Sequence, residues 1–338
     1  MLRIGIVGFG FMGRTHYSCW NKVKGAGVVA VCDVNPDIVE ATKKAVGNIG
    51  DAESNIDFAH IDLYGDFDKM LAEAKLDAVS ITLPTFLHPD CSIKALRAGV
   101  NVMCEKPMAL NVAECEKMIA AAEKTGKLLQ IGHCVRFWPE YAKAKEIIDS
   151  GKYGKVIAAS FRRLGSPPTW SADNWFLDEQ RSGGMALDLH IHDSDYVQHL
   201  FGMPKAVYST GAKAPGGGLA HISTQYIYDG IAVTAEGGWA MTPSFGFEMS
   251  FHLALEKASI IYDLTRNPMF KLCPAAGKPF TPKVAQGDGW LLQIKHFAKL
   301  IAGEELEVVT TLEQSRDSVK IVAAEKESIK KGQIVKIS

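Results

Sequence analysis

Three groups of residues in this 338-residue chain have the types and spacing that chemistry needs. The first is Gly8-Phe9-Gly10-Phe11-Met12-Gly13, a GxGxxG loop, with Asp33 twenty residues after Gly13. Gly8 permits a tight turn, Gly10 lets the backbone approach a pyrophosphate, and Gly13 lets the following helix pack closely on the strand. Free N–H groups around Phe11 and Met12, at a helix start, favour diphosphate charge. The Asp33 carboxylate can accept hydrogen bonds from ribose hydroxyls and would repel a 2′-phosphate. The loop therefore predicts a nicotinamide dinucleotide, NAD in preference to NADP.

The second group is Glu105-Lys106-Pro107, directly after the apolar run Asn101–Cys104. Ligands of open parallel sheets lie beyond the carboxyl ends of the strands, so Glu105 and Lys106 are expected near the cofactor. The same argument covers Thr82, Pro84 and His88, in the segment Thr82–His88 that ends another strand. His88 reads either as a cofactor contact or as a structural histidine. The Lys106–Pro107 bond is expected to be cis, a form that only X–Pro bonds adopt at modest cost.

The third group is Gly183-Gly184-Met185-Ala186-Leu187-Asp188-Leu189-His190-Ile191-His192-Asp193. Within a predicted helix Gly183–Phe201, Asp188 and His192 stand at i and i+4 on one face. A carboxylate one turn from an imidazole makes a general-base pair. Asp195 and His199 continue the stripe, which raises a metal site as the rival. His190 and Asp193 point elsewhere on such a helix, so no metal is expected.

The elements around these groups follow a two-part grammar. Up to about Gly132, short Val- and Ile-rich runs (Arg3–Val7, Val28–Cys32, Ala78–Thr82, Asn101–Cys104, Leu128–Ile131) alternate with helical stretches (Phe11–Lys22, Pro36–Ala45, Phe67–Ala74, Pro89–Ala98, Val112–Thr125). A short strand is expected near Ile61–Tyr64, and Gly47–Asn55 reads as loop. This alternation implies a parallel sheet with helical crossovers. Beyond it come a helix Pro139–Asp149, a strand Lys155–Arg163, a polar loop with Trp170 and Trp175, and several long strands between Lys205 and Tyr262. Asp229-Gly230 and Glu256–Ala258 read as turns between antiparallel strands. Two helices follow, near Leu291–Ile301 and Leu312–Lys330. The expected fold is α/β: a Rossmann dinucleotide-binding domain over 1–126, and over 127–338 an α+β domain with a large, mostly antiparallel, open-faced sheet. Apolar residues such as Ile222, Tyr226, Val233 and Trp239 on that sheet predict pairing of sheets in a homo-oligomer.

Bulk properties narrow the partners. A formal net charge of −1 and no long Lys/Arg run argue against nucleic acid and acidic membranes. No apolar run is long enough to span a bilayer. Seven scattered Cys with no CxxC pair suggest reduced thiols and a cytoplasmic protein.

Taken in this order, the motifs resemble the Gfo/Idh/MocA oxidoreductase family. The matching pieces are Ile4–Gly13, Thr82–His88, Ala98–Pro107, Gly183–Asp193 and the segment Gly132-His133-Cys134-Val135-Arg136-Phe137, which is similar to the family's joint between domains. The resemblance implies NAD-linked oxidation of a secondary alcohol of a sugar or cyclitol, or reduction of the ketone. It implies that Lys106 hydrogen-bonds the reacting oxygen, and that Asp188 with His192 forms the proton-transfer pair. Arg136 would lie at the cofactor. The stretch 162–175 would form part of the substrate wall, with Arg163, Trp175 and His192 as substrate contacts; Trp175 reads equally as packing at a domain seam. A homodimer or homotetramer through the C-terminal sheet is implied as well. The family also includes NAD-dependent glycosidases and non-catalytic dinucleotide-sensing proteins, and fold alone does not choose among them.

Overall fold

The computed structural model describes residues 1–42, 56–169, 172–214 and 217–337. The predicted loop Gly47–Asn55, the end of the predicted helix Pro36–Ala45, and Trp170 lie outside the described residues. The chain forms two compact units. The first comprises Met1–Cys134, Thr169–Trp175 and Asp288–Arg316, the second Val135–Pro168, Phe176–Gly287 and Asp317–Ser338.

The first unit is a six-stranded parallel sheet. Its strands are Leu2–Val7 (β1), Ala26–Cys32 (β2), Asp62–Tyr64 (β3), Ala78–Ile81 (β4), Asn101–Cys104 (β5) and Leu129–Ile131 (β6), in the order β3-β2-β1-β4-β5-β6. This is the doubly wound order of dinucleotide-binding domains, reversing at β1/β4. Helices Phe11–Trp20 (α1), Ile38–Thr42 (α2), Phe67–Glu73 (α3), His88–Arg97 (α4) and Val112–Thr125 (α5) cross over between strands. Local chemistry sets their ends. Asn111 caps α5 by accepting from the Glu114 N–H, and Gly126 at φ +65° closes it in the left-handed conformation that costs glycine least.

The chain returns to this unit near its end. Helix Gly289–Ile301, the ninth in chain order, puts Ile294, Phe297 and Ala298 into a cluster with Ile4, Ile6, Trp20 and Val31. Trp20 and Phe297 meet edge to face, 6.4 Å between ring centres. The chain thus leaves this unit after Cys134, eight residues beyond the expected boundary at 126/127, and comes back to it at Asp288. Burying a side chain such as Phe297 contributes about 1.5–3 kcal/mol, enough to hold a distant segment on the core.

The second unit is built on an eight-stranded sheet. Its strands are Val156–Gly165 (β7), Ala206–Ala214 (β8), Gly217–Ile227 (β9), Ala232–Gly238 (β10), Phe247–Leu255 (β11), Ala258–Asp263 (β12), Phe270–Pro274 (β13) and Val335–Lys336 (β14). The order is β13-β12-β11-β7-β10-β9-β8-β14, antiparallel throughout except for the β7/β10 pair. Both predicted turns are present, with Gly230 at φ +75° between β9 and β10. Helices of this unit are Pro139–Asp149 (α6), Glu179–Ser182 (α7), Ile191–Phe201 (α8) and, from Asp317 on, Leu312–Lys331 (α10); Gly289–Ile301, in the first unit, is α9. One sheet face is covered. Phe161, Phe251, Tyr262, Tyr141 and Tyr196 form an aromatic core on it, and the Tyr196 hydroxyl donates to the Tyr141 carbonyl at 2.6 Å.

The composition of the open face differs from expectation. Ile222, Tyr226, Val233 and Trp239 all lie buried on the covered side. Strand periodicity sends their neighbours the other way. Ser160, Arg162, Tyr208, Thr210, Ser223, Gln225, Thr234 and His252 are outward or partly so, and Arg162 pairs with Glu236 at 2.8 Å there. Among the described residues the open face thus carries many polar side chains.

Candidate functional site

In the first unit the glycine loop has the geometry its sequence requires. Gly8 sits at φ +83°. A Cβ at Gly13 would stand 2.2 Å from the Gly8 carbonyl oxygen, so only glycine lets α1 start this close to β1. Gly10 has nothing within 4 Å of the place its Cβ would fill, which leaves an open approach to the backbone. α1 begins without a side-chain cap and without an acidic residue in its first turn. Its first N–H groups therefore suit an anion. Asp33 is half-buried at the end of β2. One of its oxygens accepts from the Phe9 N–H at 2.7 Å and the other from the Asn35 N–H at 2.9 Å. Each carboxylate oxygen has a second lone-pair direction for a hydroxyl donor. These residues fit a dinucleotide: bare glycines, free helix N–H groups and a fixed carboxylate.

Thr82 and His88 both bond to backbone carbonyls. The Thr82 hydroxyl donates to the Gly8 carbonyl at 2.5 Å and lies 3.1 Å from that of Val7. Pro84 precedes a short 3₁₀ turn, Thr85–Leu87. His88 is buried, with Nδ1 2.8 Å from the Pro107 carbonyl oxygen and Nε2 2.9 Å from that of Leu83. Burial pulls its pKa down, against those two hydrogen bonds. Its reading as a cofactor contact gives way to the structural one, because both ring nitrogens are occupied by backbone.

Glu105 is buried as well. Its Oε1 lies 3.0 Å from His16 Nε2, and its Oε2 accepts from the Lys106 N–H at 3.2 Å. Burial alone would raise its pKa, but the His16 hydrogen bond and the charge of Lys106 help to outweigh it and hold it below the usual carboxylate range. Lys106 itself is half-buried, and the Lys106–Pro107 bond is cis, as expected. His16 was not among the sequence candidates. Its only signal was a polar residue on the core-facing side of α1.

In the second unit the helix predicted over Gly183–Phe201 starts later. Gly183 and Gly184 lie at φ +78° and +74°, outside helical space. A π-helical turn, Ala186–His190, then leads into α8. The turn sorts the motif. Asp193 pairs with Arg163 through two bonds, 2.9 and 3.0 Å. Asp195 pairs with Arg136 likewise, 2.8 and 2.7 Å, and also accepts from the Ser318 hydroxyl at 2.7 Å. His190 Nε2 lies 3.5 Å from Glu325, both fully buried. Asp188 and His192 are the two left half-exposed among Asp188, His190, His192, Asp193 and Asp195.

Two sequence candidates thereby change character. Arg163, expected at the substrate, is 3% exposed and bound to Asp193; Arg136, expected at the cofactor, is 2% exposed and bound to Asp195. Trp175 is half-buried and belongs to the first unit. Among the described residues no group of three or more His, Cys, Asp or Glu could hold a metal ion, and no helix is long and apolar enough to cross a membrane. All seven cysteines are free. Burial pushes Cys19 and Cys115 up to about 12, and Cys32 and Cys91 up to about 11, which keeps them as thiols.

Two models of one family match this chain. Residues 2–133 match the oxidoreductase family with an NAD-binding Rossmann fold, and residues 141–261 match the C-terminal domain of the same family. The chain belongs to the Gfo/Idh/MocA oxidoreductase family. Its first unit is thus the NAD-binding domain of a Gfo/Idh/MocA protein, in agreement with the glycine loop. Among its relatives is the 2,7-anhydro-N-acetylneuraminate hydratase of Mediterraneibacter gnavus, 32% identical over 64% of this chain and 52% of that protein. Another is the scyllo-inositol 2-dehydrogenase (NAD(+)) of Bacillus subtilis, 27% identical over 92% of this chain and 90% of that protein. The chain spans about half the length of most of the curated relatives it matches. The crystal structure of myo-inositol 2-dehydrogenase from Lactobacillus plantarum superposes with a TM-score of 0.81 at 25% identity, covering 100% of this chain and 99% of that one.

Proposed function

We propose that this Gfo/Idh/MocA protein is an NAD-dependent dehydrogenase acting on a secondary alcohol of a sugar or cyclitol. Bound NAD supplies the hydride acceptor at its nicotinamide ring. His192 takes the hydroxyl proton while the carbinol C–H bond breaks, so that alcohol becomes ketone. Asp188 holds the imidazole and steadies the imidazolium that forms. Lys106 donates to the substrate oxygen and favours its developing negative charge. Gly8, Gly10, Phe11, Met12, Gly13 and Asp33 hold the dinucleotide.

The observation that carries this reading is the sorting of the motif after Gly184. Its other acids and His190 are buried and bonded within the protein, whereas Asp188 and His192 keep exposed surface. A screen of sugars and inositols with NAD, following NADH absorbance, tests it. NADH formation with a polyol is expected. Dinucleotide binding without turnover of any polyol would identify a sensor instead. The relative named as a hydratase favours a second reading, in which redox chemistry assists a reaction with no net NADH; product formation without NADH would select it.

Asp33 governs cofactor choice in this proposal. Asp33→Ser is expected to erode the preference for NADH over NADPH by about tenfold or more, a difference of about 1.4 kcal/mol. Fluorescence titration of both dinucleotides reads it, and tighter NADPH binding by the parent protein sinks the assignment. We also infer a homodimer or homotetramer through the open face of the second sheet, in the cytoplasm. With polar side chains on that face, the contact would be made by side-chain hydrogen bonds and ion pairs, from residues such as Arg162 and Glu236, which pair with each other within the chain. Light scattering at micromolar concentration is expected to give a multiple of the chain mass; a monomer mass counts against it.

A further inference from the structure

We propose that His16 is a positioning residue for Lys106, acting through Glu105; this rests on the catalytic role given to Lys106 above. The turn that carries Lys106 is held from several directions. The Glu105 N–H donates to the Ile81 carbonyl at 2.9 Å, and the Gly132 N–H donates to the Cys104 carbonyl at 2.7 Å, so backbone bonds tie its start to the sheet. His88 fixes the Pro107 carbonyl at 2.8 Å. The Glu105 side chain then fills a socket of its own. A Cβ on Gly132 would stand 2.8 Å from Glu105 Oε1, so position 132 must remain bare for the carboxylate to sit there. One carboxylate oxygen meets His16 Nε2 at 3.0 Å, and the other meets the Lys106 N–H.

A buried carboxylate is costly unless paired and hydrogen-bonded. Glu105 stays ionised, held below the usual carboxylate range against burial by the His16 hydrogen bond and the nearby Lys106 charge. An ionised carboxylate only accepts, so His16 is the donor. His16 belongs to α1, the helix that follows the glycine loop, and its side chain is fully buried. The His16–Glu105 bond therefore links the dinucleotide-binding helix to the backbone of Lys106 over 89 residues of sequence. Without that donor the carboxylate must rotate out or take up a proton, and the Lys106 N–H loses a fixed acceptor. The amine then samples positions away from the reacting oxygen.

Three substitutions, singly and with two of them combined, test this. His16→Leu is expected to lower kcat by up to about 10²-fold, the scale of a catalytic group misplaced by about an ångström. KM for NAD should hold, because the glycine loop and Asp33 are untouched. His16→Gln, which keeps an N–H donor at the distance of Nε2, should recover most of kcat. In a Lys106→Met background, His16→Leu should cost nothing further, since both act on one step. Normal kcat in His16→Leu, or an equal loss with and without Lys106, overturns the proposal. A loss of folding in His16→Leu, seen as a lowered melting temperature that His16→Gln does not recover, also overturns it. The second readout needs no turnover. Acylation of lysines by an N-hydroxysuccinimide ester, resolved by peptide mass spectrometry, should show a changed rate at Lys106 in His16→Leu, relative to exposed Lys94, and a parental rate in His16→Gln. An unchanged rate at Lys106 defeats the positioning role. Full turnover by Lys106→Met would defeat the role of Lys106 in catalysis, and the acylation rate would then still decide whether His16 sets the position of its amine.

Discussion

Replacing His192 with Ala is expected to lower NADH formation about 10²- to 10⁴-fold, the usual contribution of a general acid–base group. Alcohol oxidation at neutral pH needs a base there, and an unperturbed imidazole titrates near pH 6.5. His192 has the exposed surface that such a base requires, while His190 two residues earlier is sealed against Glu325. Dinucleotide binding should persist, because the glycine loop and Asp33 belong to the first unit. Asp188→Asn should keep the fold and slow turnover, since it removes the charge proposed to steady the imidazolium. Loss of Lys106 on top of His192 should cost less than the two single effects multiplied, as for groups that act as one. NADH formation with a confirmed substrate, measured beside dinucleotide binding by fluorescence, decides the matter. Near-normal turnover in His192→Ala removes it as the base.

The glycine loop was legible because its requirements are local. Gly8 needs a positive φ and Gly13 a missing Cβ, and both demands fall within six consecutive residues. The parallel strands were legible for a similar reason, since runs buried on both faces are apolar throughout. The pairings that decide Arg136 and Arg163 are of another kind. Arg136 finds Asp195 across 59 residues and Arg163 finds Asp193 across 30, and no periodicity predicts which acid an arginine will meet. Spacing did place Asp188 and His192 apart from His190 and Asp193. It could not show that a π turn intervenes, because i and i+4 look the same in sequence whether the ladder is α or π. The open sheet face was misjudged for its composition. Ile222, Tyr226 and Val233 alternate with Ser223, Gln225 and Thr234, and which set faces the helices depends on contacts far along the chain.

Asp195→Asn is expected to destabilise the protein by about 3–5 kcal/mol, the cost of breaking a buried ion pair from one side. The Arg136 and Asp195 side chains are 0% and 1% exposed, so water cannot take over the lost partner. Asn keeps the shape of Asp but supplies one acceptor where two are used, and places N–H donors against a guanidinium that only donates. The Ser318 hydroxyl, which donates to Asp195 Oδ1 at 2.7 Å, is weakened too. An Arg136→Leu, Asp195→Leu double variant should recover much of the loss, since replacing both members of a buried pair by apolar groups is often neutral or better. Denaturant unfolding followed through the second unit reads both. A shift below about 1 kcal/mol for Asp195→Asn would mean that the pair is solvated in solution. The consequence for function follows from the helix. Asp195 stands three residues after His192 on α8, with Asp193 bound to Arg163 between them. Two buried arginines thus clamp the turn that carries the proposed base. In Asp195→Asn, turnover should fall by more than the folded fraction alone explains, whereas the double variant, refolded and equally stable, should still turn over slowly because the register of α8 is no longer set by charge.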